Sequence, residues 1–152
     1  MFKVHMVDGG HILGWEKHPA AAITPQAGMA MVLANGVLNI ATGAAAPTYM
    51  CMSSADAPVE AGTMVHVVRV TDDQIWETTL TAATEAEPGE KLTIAAGGME
   101  LTGTTGGAAE IVELGGNAIG DWVRVRFDGK NAVADEGTDE GEGEGEGEGT
   151  GA

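Results

Sequence analysis

The stretch that most restricts how this chain can fold is Gly120-Asp121-Trp122-Val123-Arg124-Val125-Arg126-Phe127-Asp128-Gly129-Lys130. Val123, Val125 and Phe127 alternate with Trp122, Arg124 and Arg126, and glycines close both ends. A period of two in β-branched and aromatic residues is a strand with one dry face and one wetter face. Such a strand cannot bury its dry face alone, so the chain before it must supply the sheet that receives it. No apolar pattern follows Lys130, which makes this the last strand of a β domain.

The preceding chain reads in the same way. Met29 to Ala34 and Val37 to Ile40 flank Asn35-Gly36, the strongest short hairpin signal, because both residues accept the positive φ of a tight turn. Thr48 to Met52 is a short apolar strand, and Cys51 within it is expected to be a small buried hydrophobe. Met64 to Val70 carries apolar residues on both faces, which suggests a central strand, with Ile75 to Leu80 as its antiparallel neighbour and His66 as a hydrogen-bonded core residue. Lys91 to Ile94, Met99 to Leu101 and Ala109 to Leu114 follow, separated by Pro-Gly and Gly-Gly turns. About eight or nine short strands at this spacing predict an all-β barrel or sandwich.

Three regions are expected. Residues 25–130 form the β domain. Residues 1–24 hold Phe2, Val4, Met6, Ile12, Leu13 and Trp15 in an alternating apolar pattern around Asp8-Gly9-Gly10. They read either as a hairpin or as an extended arm ordered by another surface, and His18 to Pro25, with two prolines, reads as a linker. Residues 131–152 are low complexity, with eight acidic and no basic residues between Asp135 and Glu148, and are expected to be a disordered, solvated tail.

Charge and composition exclude several functions. The net charge is −16, so a phosphate backbone is repelled and nucleic acid is not an expected partner. Only 4% of residues are aromatic, too few for a base-stacking platform. A single cysteine permits no intramolecular disulfide and fits synthesis in a reducing cytoplasm. The first residues lack a signal-peptide pattern and no apolar run would span a bilayer, so no membrane association is expected. His5, His11 and His18 near Asp8 match no metal-ligand spacing, and no cofactor or metal is expected. No nucleophile elbow, phosphate loop or cysteine–histidine arrangement is present, so no catalytic residue is assigned and the chain is not expected to be an enzyme. Arg124 and Arg126 share a face and are expected to pair with Glu110 or Glu113 across the strands, or alternatively with carboxylates of a neighbouring subunit.

Four segments in fixed order carry a resemblance. They are Pro25 to Ala30 running into Ala34-Asn35-Gly36-Val37; Pro47-Thr48-Tyr49-Met50 before Ala61 to Val65 and Val68-Arg69-Val70; Glu87 to Thr93 before Gly97-Gly98-Met99; and Gly120 to Phe127. Together they resemble the capsid decoration (head cement) proteins of tailed bacteriophages. The resemblance implies a small β-barrel or sandwich of the β-tulip kind, a homotrimer, on the outer surface of an icosahedral head. Its implied partner is the major capsid protein, whose neighbouring subunits it would bridge. The Gly-Glu tail departs from that pattern. Phe2, Val4, Met6, Ile12, Leu13 and Trp15 are the candidate capsid contacts, the alternative being that they complete the domain's own core. A second functional reading is a binding module for carbohydrate or peptide on a host surface.

Overall fold

A computed structural model describes residues 1–10 and 12–128, so the acidic tail expected at 131–152 lies outside the described residues. The all-β expectation holds. Among the described residues eleven strands occur, two more than the upper expectation: β1 (Lys3–Val7), β2 (Trp15–Pro19), β3 (Ala30–Ala34), β4 (Val37–Ile40), β5 (Tyr49–Cys51), β6 (Met64–Arg69), β7 (Gln74–Thr79), β8 (Lys91–Ile94), β9 (Leu101–Thr105), β10 (Ala109–Leu114) and β11 (Trp122–Phe127). A short 3-10 turn, Asp8–Gly10, follows β1.

The strands form two antiparallel sheets, ordered β2-β6-β5-β3-β4 and β1-β7-β11-β10-β8-β9. With β1 set aside, the two orders are the same: in each, the first strand pairs with the fifth, the fifth with the fourth, the fourth with the second and the second with the third. Each sheet also curls until its first and third strands meet. Ala20 bridges Leu38 in parallel and Leu80 bridges Leu101 in parallel. The Ala21 N–H donates to the Leu38 carbonyl and the Thr81 N–H to the Leu101 carbonyl, both at 2.9 Å. Closure removes most of the free edge a flat sheet would expose.

The correspondence extends to single bonds. Gly62 donates to the Ala20 carbonyl and Gly120 to the Leu80 carbonyl, each at 2.8 Å. Gly28 donates to the Cys51 carbonyl and Gly89 to the Ile111 carbonyl, also at 2.8 Å. The chain is therefore two small barrels of one design, spanning residues 15–69 and 74–127. Gly62-x-x-Val65-x-Val67 and Gly120-x-x-Val123-x-Val125 are the sequence trace of it.

Each barrel fills its lumen with inward residues of alternating strands. In the first these are Ala20, Met31, Leu38, Tyr49, Cys51, Val65 and Val67, and the Cys51 thiol is buried as expected. In the second, Leu80, Leu92, Leu101, Ala109, Ile111, Val123 and Val125 take the corresponding places, and Phe127 joins them. This second core continues into Ala30 and Met50 from the first barrel's outer wall and Val70 from the link after β6, which joins the two units.

Several local expectations change for physical reasons. Ile75 to Leu80 does not pair with Met64 to Val70, because β2 and β5 already occupy both edges of β6; β7 lies in the other barrel. His66 is exposed rather than core, since Val65 and Val67 take the inward positions of β6. The His18 to Pro25 stretch is not an unstructured linker. His18 and Pro19 belong to β2, and Ala20 is fully buried at the barrel closure. The Asn35-Gly36 hairpin forms as expected, with φ of 52° and 76°.

Gly28 and Gly89 offer a matched test. Both adopt positive φ, 81° and 95°, but a Cβ on Gly28 would lie 2.4 Å from the Phe2 carbonyl oxygen, whereas the space at Gly89 is open. Gly89→Ala should cost about 1–2 kcal/mol from backbone strain alone. Gly28→Ala should cost about 1–3 kcal/mol more, because Phe2 must be displaced. Urea denaturation midpoints of the two variants read this difference directly.

Candidate functional site

The N-terminal stretch is extended, and both of its strands engage the body. β1 pairs with β7 (Lys3↔Glu77, Val4↔Trp76, Met6↔Ile75) with a bulge between Val4 and Met6. β2 pairs with β6. They do not pair with one another, so no hairpin forms. The Asp8–Gly10 turn, with Gly9 and Gly10 at φ of 80° and 65°, carries the chain from one barrel to the other. The boundary expected at residue 24 thus falls inside the hydrogen-bonded framework of the first barrel.

The six candidate contact residues separate into three groups. Phe2 is core: it is 2% exposed and packs edge-on against Phe127 at 5.7 Å between ring centroids. Leu13 is half-buried. Val4, Met6, Ile12 and Trp15 are exposed, Ile12 almost completely and Trp15 by 62%. A groove of about 270 Å³ runs between β1 and the loop before β2, lined by Met1, Val4, Leu13, Met52 and Trp76 among others. Met52, in the groove wall, and Met64 are also exposed, and sequence pattern did not single them out because both sit in runs that read as wholly buried.

The first barrel also holds a polar cluster at one mouth. Glu16 accepts from His18 Nε2 and Tyr49 Oη, both at 2.9 Å, and from Arg69 Nε at 3.0 Å and Nη2 at 3.1 Å. Arg69 Nη2 donates to Tyr49 Oη at 2.7 Å, and its guanidinium lies 5.0 Å from the Tyr49 ring centroid. In the second barrel the positions of Glu16, His18, Tyr49 and Arg69 are taken by Trp76, Thr78, Ala109 and Phe127. One barrel closes this end with apolar bulk and the other with charge.

The His18 and Arg69 hydrogen bonds hold the Glu16 carboxyl down at about 2, against an ordinary value of 4.5. Because the folded value lies below the unfolded one, the cluster stabilises the fold fully above about pH 4.5, and this contribution is lost as the pH falls towards 2. Glu16 is about one-third exposed, so solvent screening reduces its worth to about 1–2 kcal/mol at neutral pH. Glu16→Gln should lower stability by that amount at pH 7, with the gap to the native chain closing between pH 4.5 and 2 in thermal unfolding.

Arg124 and Arg126 pair within the chain. Arg124 donates to Glu113 and, at 3.0 Å, to Glu77, and lies over the Trp122 ring at 4.4 Å. Arg126 reaches Asp8 at 3.1 Å rather than Glu110, its cross-strand neighbour, so it fastens the N-terminal turn to the second barrel. Among the described residues no group of three or more His, Cys, Asp or Glu side chains is placed to hold a metal ion, and no helix is long and apolar enough to cross a membrane.

No protein-family model and no curated protein matches the chain. The paired-barrel fold does have a solved counterpart. It is similar to the N base of head fiber gp8.5 of bacteriophage phi29, with a TM-score of 0.50 and 16% sequence identity. The likeness covers 77% of this chain and 95% of that one. At this identity what is shared is the fold, and the likeness takes in nearly all of the phi29 head-fiber base.

Proposed function

We propose that this chain is a structural protein of a bacteriophage virion. It binds the outer surface of an assembled icosahedral head, bridges neighbouring major capsid subunits, acts as a homotrimer and catalyses no reaction. The observation that carries the reading is the fold likeness to a phage head-fiber N base over 95% of that solved chain. The four-segment resemblance to head decoration proteins points the same way independently. The exposed group Val4, Met6, Ile12 and Trp15 supplies apolar surface for the shell.

A protein that binds only the assembled shell stabilises it by linkage, because its binding free energy is lost when the shell comes apart. Three copies acting together multiply weak contacts through effective concentration, with avidity gains of about 10²–10⁴. The strongly negative chain is repelled by packaged nucleic acid, which favours the outer surface.

The test is uptake of the purified chain by undecorated heads of the phage that encodes it. Saturable binding at a fixed number per capsomer, with heads then surviving higher temperature, is the expected result. Binding to host cells or glycans with no uptake by heads would replace this reading with that of a host-surface binding module.

A further inference from the structure

The two barrels differ at one edge. In the second, β1 lies along the outer edge of β7. In the first, the corresponding edge of β2 carries no strand among the described residues. Ala20 exchanges hydrogen bonds with Thr63 and Gly62 on the β6 side, so by strand alternation Glu16 and His18 also face β6. Trp15 and Lys17 therefore turn their backbone N–H and C=O groups outward. Their counterparts in the second barrel are Ile75 and Glu77, which are among the residues β1 pairs with.

Side-chain exposure follows the same division. Ile75, covered by β1, is 5% exposed, whereas Trp15 in the corresponding place is 62% exposed. On the same outer face the His66 ring lies 5.8 Å from the indole, and Met64, also exposed, lies further along β6 opposite Pro19. The exposed indole thus sits next to strand backbone that no other strand pairs with among the described residues. Pro19, without an N–H, ends the available edge, so the window corresponds to Ile75 and Glu77, two of the four residues that β1 pairs with on β7.

We propose that the Trp15–Lys17 edge of β2 receives an antiparallel strand from another protein, one that carries an acidic residue opposite Lys17. The charge argument selects the occupant. On β7 the incoming strand places Lys3 opposite Glu77. On β2 the residue in the Glu77 position is Lys17, so β1 of a second copy would set lysine against lysine, and cross-strand like charges are destabilising. An aspartate or glutamate there restores the pairing. The incoming backbone satisfies the outward groups of Trp15 and Lys17, and its side chains cover Trp15. This deepens the proposed function by naming the receiving surface, and rests on it only for the source of the strand, the head shell.

A synthetic peptide of alternating valine and threonine with one central glutamate, and its lysine twin, test the edge with the full chain and without heads. In NMR titration the glutamate peptide should shift the Trp15 and Lys17 amides and the Trp15 indole, slow exchange of those amides, and bind about twofold to fivefold more tightly than the lysine peptide. Lys17→Glu should invert that preference. Equal binding of the two peptides, binding away from β2, or no shift at millimolar peptide would each overturn the proposal. In parallel, uptake by heads that Lys17→Glu leaves unchanged overturns the edge as the shell contact and leaves the proposed function standing. Failure of the native chain to bind heads overturns the proposed function, and the peptide result then decides the edge alone.

Discussion

Removal of residues 1–24 is expected to unfold the first barrel rather than to detach a contact arm. The deletion takes away β2, which closes the barrel against β4 through Ala20 and pairs with β6 along five residues. It removes Glu16 from beneath Tyr49 and Arg69, leaving a buried phenol and a guanidinium without their shared acceptor. It also removes Phe2 from the second core. Full burial of a side chain such as Phe2 is worth about 1.5–3 kcal/mol on its own, and a domain of this size holds only about 5–15 kcal/mol in total. The truncated chain should therefore show no cooperative thermal transition for the first barrel and should bind a hydrophobic dye. A sharp transition within a few degrees of the native one would mean that β2 is dispensable. Loss of head binding by such a truncation would say nothing about contacts, so the contact test belongs to exposed positions such as Ile12 and Trp15.

The second large effect is expected from Phe127→Ala. Phe127 is fully buried, packs against Phe2, and ends the strand whose other inward residues are Val123 and Val125. Truncation of a buried phenylalanine costs about 3–5 kcal/mol, part from transfer and part from the cavity left behind. Its counterpart in the first barrel, Arg69, is a charged side chain at the barrel mouth, so Phe127→Ala should cost more than the loss of any single hydrogen bond in the Glu16 cluster. Chemical denaturation of the two variants, Phe127→Ala and Glu16→Gln, orders them. A smaller loss at Phe127 would mean that the second barrel collapses around the gap.

Much of the fold was legible because each strand carries its period of two locally. β11, β6 and the Asn35-Gly36 hairpin could be read from a handful of residues, and the structure places all three as strands, with burial alternating strictly along β11. What could not be read was which strands share a sheet. The link from Arg69 to Gln74 is short enough for a hairpin, yet it crosses between barrels, because β6 has both edges filled by strands remote in sequence. Pairing depends on competition among edges, and that is a property of the whole chain. The duplicated design was hidden for a related reason. Barrel lumens accept any residues of suitable volume, so Glu16 and Arg69 stand where Trp76 and Phe127 do, and only the turn glycines and two valines keep the trace.

The candidate contact residues were half legible. Alternation in residues 2–15 identified surface-forming strands but could not tell an inward Phe2 from an outward Val4. That division depends on the Gly28 turn, whose backbone approaches Phe2 closely enough to fix it at the core. The importance of Lys17 had no local signal at all; it follows only from laying one barrel over the other.

The enclosed thiol of Cys51 makes the molecule its own gauge of breathing. Burial raises the pKa of this thiol and keeps it protonated, so the closed barrel presents an unreactive group to alkylating reagents. Modification then proceeds only through transient openings, and its rate reports their frequency. The same labelling, repeated with the chain seated on a larger assembly, would show how much attachment quiets the first barrel while leaving the second unmarked.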